Sequence, residues 1–402
     1  MAITIDLLRH PYPYKCSFTI CNDCDHYTKE SFQTIHEFIN TTEQSKFGKG
    51  LGLPIADSLF MYGQRRGSLA YFNDVHGVPG EDSEFLIDAV KEGWIDTLHA
   101  YGDFIRPNVF SRKLAEKALN ELEKRNVKFK IWVDHGSADN TQNLNTPNII
   151  SKGDKPSQPA YHADLLTQYG VVFVAGYNSD RIGQNGVESF WADPICQPNI
   201  PLSFIKRWQG RVYGKRLQTK KKYGDKSWFY SFCRGRNGVL RPDSSLLSQQ
   251  LSEENIQKLI KSEGILVLYQ HLGAVNKRPS YFPYLDMAAR SALSHVAEKY
   301  QDGIIWVAPT SKLLTYAYLL ANIQLEIVDN TNALLIEIRL KDNALKIQNL
   351  TLLADLSFRI RNYSGDTKII IKPCEYILEE NEYSTVVDDG LIIKLHPMSV
   401  TV

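Results

Sequence analysis

Long apolar runs are missing from this 402-residue chain; none approaches the roughly 18 residues of a membrane-spanning helix, so no span is expected. Cysteine is sparse. Six thiols without a framework spacing exclude a disulfide-stapled scaffold and suit a reducing compartment, the cytoplasm. The first residues carry no basic segment followed by an apolar core, so no secretory leader is expected either. Excess charge of one sign is also lacking: 46 Lys and Arg face 45 Asp and Glu, which leaves no global pull toward nucleic acid. No strand-like segment is followed by a GxGxxG or GxxxxGK[ST] loop, so a nucleotide-cofactor fold loses support. Cys21-Asn22-Asp23-Cys24 is a lone CxxC. It has neither the second cysteine pair nor the spaced histidines that a structural zinc site needs.

What is present is alternation. Residues 16–21, 69–72, 128–134, 171–175, 265–269 and 304–308 read as strands, several of them continuous apolar runs typical of a parallel sheet buried on both faces. Amphipathic helices lie between them. One runs from a cap at Ser111 to Asn126, with Leu114, Ala115, Ala118, Leu119 and Leu122 on one stripe; another starts at Ser252 and stops before Gly264. Such repetition predicts an α/β fold, a (β/α) barrel, over residues 1–320. Beyond it, short β-rich segments separated by turns such as Ser364-Gly365-Asp366 predict a small antiparallel β-sandwich over 321–402.

Acidic and imidazole side chains recur where these strands end. Asp23 and Asp25 follow the first strand, two apart, so a continuing strand turns both carboxylates the same way; alternatively they form a polar turn. His99 and Asp103 bracket Ala-Tyr-Gly, His135 follows the alternation Phe129, Ile131, Val133, and His271 closes the most apolar strand. One histidine at a strand end is ordinary structure. Four acid or imidazole endings in one α/β unit predict a divalent metal, zinc or a related transition ion, at a barrel mouth.

Other residues belong around such a mouth. His162 and Asp164 either line the site or start a helix. Trp191 and Asp193 lie in an aromatic-acidic stretch, and aromatic faces stack on sugar rings. Residues 206–226 carry nine Lys or Arg against Asp225 alone, with Arg234 and Arg236 following. They form either a solvated basic loop or a clamp for an anionic portion of a substrate, such as a nucleotide- or lipid-linked sugar.

The order of these motifs resembles the polysaccharide deacetylase (NodB-homology) superfamily of carbohydrate esterases, which share a distorted (β/α) barrel. Phe18-Thr19-Ile20-Cys21-Asn22-Asp23 stands where that family has Thr-Phe-Asp-Asp-Gly. His99-Ala100-Tyr101-Gly102-Asp103 is similar to its His-x₃-His, with aspartate in the second place. Val133-Asp134-His135-Gly136 holds the place of Arg-Pro-Pro-Tyr-Gly, and Leu268-Tyr269-Gln270-His271 is similar to the closing Leu-x-His.

The resemblance implies that Asp23, His99 and Asp103 bind the metal and that His271 is the acid. It puts Asn22 where the family keeps its base, and an amide cannot abstract a proton. Either Asp25 or His135 then serves as base, or Asp23 is the base and Asp25 a ligand, or the site has lost activity. The expected function is metal-dependent N-deacylation of a sugar intermediate in surface polysaccharide assembly. Two alternatives are a glycoside hydrolase using carboxylates such as Asp23 and Asp193, and an inactive carbohydrate-binding protein.

Overall fold

The computed structural model describes residues 3–63, 69–104, 109–135, 140–144, 152–175, 218–239, 242–274, 284–329, 333–341, 353, 355–362, 368–372, 376–378, 384–387 and 390–395. The chain divides into two compact units, Ser17–Ser311 and a second formed by Met1–Cys16 with Lys312–Val402.

The second unit is built of antiparallel sheets with one parallel pair. Its strands are β1 (Thr4–Leu7), β13 (Ile323–Asp329), β14 (Ala333–Leu340), β15 (Ser357–Arg361), β16 (Lys368–Lys372), β17 (Tyr376–Leu378), β18 (Ser384–Val387) and β19 (Gly390–Lys394). They form two four-stranded sheets, ordered β1-β15-β19-β18 and β13-β14-β16-β17, and the pair β14–β16 is parallel. Strand β1, which the sequence pattern does not announce, pairs Thr4 with Arg361 along β15. Its alternation of exposed and half-buried residues carries no apolar run to read.

The larger unit alternates strands and helices. It begins with β2 (Cys16–Asn22), α1 (Lys29–Asn40), the small hairpin β3 (Gln44–Ser45) and β4 (Gly48–Lys49), β5 (Asp57–Leu59), α2 (Ser83–Lys91) and β6 (Ile95–His99). It continues through α3 (Arg112–Lys124), β7 (Ile131–Val133), α4 (Ala163–Tyr169), β8 (Phe173–Ala175), β9 (Gln218–Lys222) and β10 (Trp228–Phe232). The last members are α5 (Glu253–Lys261), β11 (Ile265–Gln270), α6 (Met287–Gln301) and β12 (Ile305–Val307); the following helix α7 (Thr310–Asn322) belongs from Lys312 onward to the other unit.

Strands β5-β6-β7-β8-β10 are parallel neighbours, with β9 antiparallel at the edge; a three-stranded sheet has the order β11-β2-β12. Gly235 joins the two sheets, donating to Val267 O and accepting from Tyr269 N, each at 2.8 Å. Every residue of β2 is buried, as are five of six in β11. Burial on both faces is why β11 reads as an apolar run from Ile265 to Tyr269, while β2 alternates its apolar residues with Ser17 and Thr19. Helix α3 buries Ala115, Ala118, Leu119 and Leu122 as its stripe predicts, and the Ser252 hydroxyl caps α5 by accepting from Asn255 N.

Residues 69–72 differ from expectation. Their amides bond to Tyr27, Phe60 and Met61 carbonyls, and Phe72 makes only isolated bridges, so the apolar run is a buried connector and not a strand. The three-residue strand β5 is the edge that the sequence conceals. It carries Asp57 and Ser58, polar residues buried by side-chain partners, so no hydrophobic run marks it.

Candidate metal centre

The strand ends converge. Asp23 and Asp25 follow β2, His99 ends β6, His135 follows β7, Arg234 follows β10 and His271 follows β11. Parallel strands side by side put all of these at their carboxyl ends, the end where (β/α) folds collect functional groups.

Two sets of described residues could hold a metal ion: Asp25, His99 and His135, and Asp23, Asp25 and His271, with donor atoms within 4.8 Å of one another in each. Asp25 belongs to both. One of its carboxylate oxygens lies 2.7 Å from His135 Nε2; the other lies 3.3 Å from His99 Nε2 and 3.6 Å from His271 Nε2.

Asp23 faces a different partner. Its Oδ1 accepts a short hydrogen bond from Arg234 Nη1, both groups being buried, while His99 Nδ1 and His271 Nε2 stand at 3.7 and 3.8 Å. Arg234 also lies over the Tyr269 ring at 4.1 Å. The guanidinium expected to meet substrate is thus committed to a carboxylate of the site. Arg236, half-buried, sits 5.6 Å from the same ring.

The fit to a divalent ion can be tested on the donors. One carboxylate and two imidazoles suit zinc or a related transition metal and leave a position open. Donors about 2.0 Å from a tetrahedral ion stand about 3.3 Å apart, the separation of Asp25 Oδ2 and His99 Nε2. His99 is fully buried, and its Nδ1 has no hydrogen-bond partner among the described residues. Phe60 stacks on it at 5.0 Å and touches the His135 ring at 5.5 Å, giving the site an apolar wall. The donor set fits.

Charge in the site is strongly biased. Burial alone raises the Asp25 carboxyl, but hydrogen bonds and charge from His135 and His99 outweigh it and hold it well below the usual range. Burial likewise raises Asp23, and Arg234, followed by His99 and His271, brings it below its ordinary value. Both carboxylates are therefore ionised. Burial lowers His135, and its bond and attraction to Asp25 more than offset this, so it titrates above its ordinary value.

Asn22, which the resemblance in motif order puts where a base is expected, does different work. Its amide donates to both oxygens of buried Asp57 at 2.8 and 2.9 Å, and its carbonyl accepts from Leu272 N at 2.6 Å. Asp57 in turn meets His36 Nε2 at 3.2 Å. Position 22 is a structural clamp between β2, β5 and the loop after His271.

Asp103 lies outside both candidate sets; its carboxylate is 3.9 Å from His135 Nδ1. His162 is fully buried among Tyr101, Phe110 and Trp132, with Nδ1 on Ala160 O at 2.8 Å, while Asp164 pairs with Arg112 at 2.7 Å. The structure does not bring that pair to the metal centre. Trp191, Asp193 and residues 206–217 of the basic stretch lie outside the described residues. Cys21 and Cys24 are both buried; burial pushes the Cys21 thiol up to about 12 and Cys24 well above its usual value, so neither is poised as a thiolate.

Compared with models of known families and with curated proteins, the chain matches none. Phe60, Arg234 as a partner of Asp23, and Asn140 beside His135 are the site members that sequence reasoning did not place. Phe60 and Arg234 are brought in by contacts distant in sequence. Asn140 lies five positions from His135, in an Asn-rich stretch where the sequence does not single it out from its neighbours.

Proposed function

We propose that the chain is a metal-dependent carbohydrate N-deacylase of the polysaccharide deacetylase type, built on a distorted (β/α) barrel. The observation that carries this reading is the cluster of Asp25, His99 and His135 with the Asp23–Arg234 pair and His271 directly beside it.

Asp25, His99 and His135 would hold the ion, exchanging the roles that motif order alone assigns to the two aspartates. When bound, a divalent ion supplies Lewis acidity that polarises the acyl carbonyl and makes water acidic near neutral pH. Asp23 is then the base. It is ionised, buried, and aimed by the Arg234 guanidinium, so its free oxygen faces His271 and the centre. His271 donates Nδ1–H to Pro242 O at 2.9 Å, which turns Nε2 toward Asp23 and Asp25; once Nε2 takes up the proton that Asp23 removes from water, the ring can hand it to the leaving amine. The substrate in this reading is an N-acylated sugar, an intermediate of surface polysaccharide assembly.

Metal analysis of the purified protein, followed by acetate or formate release from N-acylated sugars, tests this. The expected result is near-stoichiometric divalent metal that His99→Ala removes, and a turnover that His271→Ala lowers about 10²- to 10⁴-fold with metal retained. A wild-type protein that takes up no divalent metal would overturn the reading.

A further inference from the structure

His135 is held by a chain of hydrogen bonds whose directions are all fixed. Tyr101 N donates to Gln142 Oε1 at 2.8 Å, which leaves Gln142 Nε2 to donate to Gly102 O at 2.6 Å and to Asn140 Oδ1 at 2.9 Å. Phe104 N also donates to Asn140 Oδ1, at 2.9 Å. With two donors on that oxygen, the Asn140 amide cannot be flipped, and its Nδ2 must donate to His135 Nδ1 at 3.0 Å. Nδ1 of His135 is therefore an acceptor, and the neutral ring carries its proton on Nε2, donated to Asp25 at 2.7 Å.

That tautomer cannot ligate through Nε2. A metal at Nε2 needs the lone pair there and the proton on Nδ1, and a ligating histidine gives that proton to an outer acceptor, often a carboxylate. The Asn140 amide offers a donor and not an acceptor. Among the described residues, the acidic side chain beside Nδ1 is Asp103, 3.9 Å away and only slightly exposed.

We propose that Asp103 is a positioning residue for the metal: on loading, the His135 proton passes from Nε2 to Nδ1, Asn140 gives way, and the Asp103 carboxylate accepts the new N–H. The ring gains one N–H and loses one, so no net proton is exchanged by it. This inference rests on the assignment of Asp25, His99 and His135 as ligands. It gives Asp103, expected from motif order to be a ligand, a place one shell out.

Chelator competition with Zn²⁺ on the full chain reads the effect without catalysis. Asp103→Ala should weaken Zn²⁺ binding about 10- to 100-fold. Asn140→Asp supplies an acceptor at Nδ1 while one oxygen keeps the Phe104 and Gln142 bonds, so Asp103→Ala/Asn140→Asp should recover wild-type affinity. A passive structural loss at 103 gives no such rescue. Equal affinity of wild type and Asp103→Ala, or no recovery in the double variant, overturns the proposal. Histidine ¹⁵N spectra of the wild type need no variant: Nδ1 of His135 should change from unprotonated to protonated as Zn²⁺ is added, and a ring already protonated at Nδ1 without metal refutes it. Wild-type protein that binds no Zn²⁺ at all overturns the ligand assignment itself, and with it this inference; normal binding with an indifferent Asp103 overturns the inference alone.

Discussion

At the scale of single residues, Asn22 shows why a motif comparison can mislead about chemistry. An amide in the base position suggests a damaged active site. In three dimensions the same amide neutralises the lone pairs of Asp57 with two donated hydrogen bonds and fixes Leu272, next to His271, with its carbonyl. Asparagine is the residue that can do both, being donor and acceptor at once. Asn22→Asp should therefore fail as a restored base. It sets two buried carboxylates against each other, and a buried charge without its partner costs about 3–5 kcal/mol. Urea unfolding of the variant should show a loss of that order; a variant as stable as wild type would mean that the Asp57 clamp carries no weight. Asp23 and Asp25 illustrate the converse. Their presence at a strand end was legible in the sequence, but which of them faces an arginine and which faces two imidazoles was not, because Arg234 is 211 positions away from Asp23.

At the scale of elements, the fully buried strands and the amphipathic helices were legible because each carries its own signal: β11 an unbroken apolar run, α3 a stripe with a three-to-four residue repeat. Strands β5 and β9 were not. The first is three residues long and stabilised by polar partners, and the second carries three consecutive lysines. The loop after β6 also depends on more than its own sequence. Gly102 bridges Tyr62, and a Cβ there would stand 2.4 Å from the Tyr62 carbonyl oxygen, too close for any side chain. Gly102→Ala must push the loop away from the strand-end segment of β5, at a cost of about 1–3 kcal/mol. It should also weaken metal binding, because this loop joins His99, at the end of β6, to Asp103. Thermal unfolding and Zn²⁺ competition on one sample check both; a variant that keeps both values would show that the bridge yields freely.

For the whole molecule, stability is expected to depend on pH through one group and on metal through others. Burial among aromatic rings lowers His162 to about 4. Its unfolded value is near 6.5, so between pH 6.5 and 4 the unfolded chain binds a proton that the folded chain refuses, and stability falls as pH falls through that window. The loss reaches about 3 kcal/mol at its lower edge. His162→Phe keeps an apolar ring in the cluster and removes the titration, so its urea midpoint should fall less between pH 6.5 and 4.5 than that of wild type. Parallel acid limbs would show that His162 takes up its proton in the folded state.

A metal ion held by this cluster would act from the opposite side, by binding the folded chain alone. Asp25, His99 and His135 come from three strand ends and meet only when β2, β6 and β7 are assembled, so the unfolded chain offers no comparable site. Free Zn²⁺ at 100 times its dissociation constant then stabilises by about 2.7 kcal/mol. For a folding unit of a few hundred residues each kcal/mol moves Tm by about 2–4 °C, so a rise of several degrees is expected. Chelation should reverse it, and His99→Ala, which removes a donor that is already buried, should show no rise at all. The ordering of the variants carries the information: His99→Ala flat, Asp103→Ala reduced at equal Zn²⁺ because its affinity is lower, and His271→Ala close to wild type because its imidazole is outside the Asp25, His99 and His135 set. A His271→Ala protein that loses the rise while His135→Ala keeps it would move the ion to the Asp23, Asp25 and His271 set, and would return to Asp23 the ligand role that motif order first assigned to it.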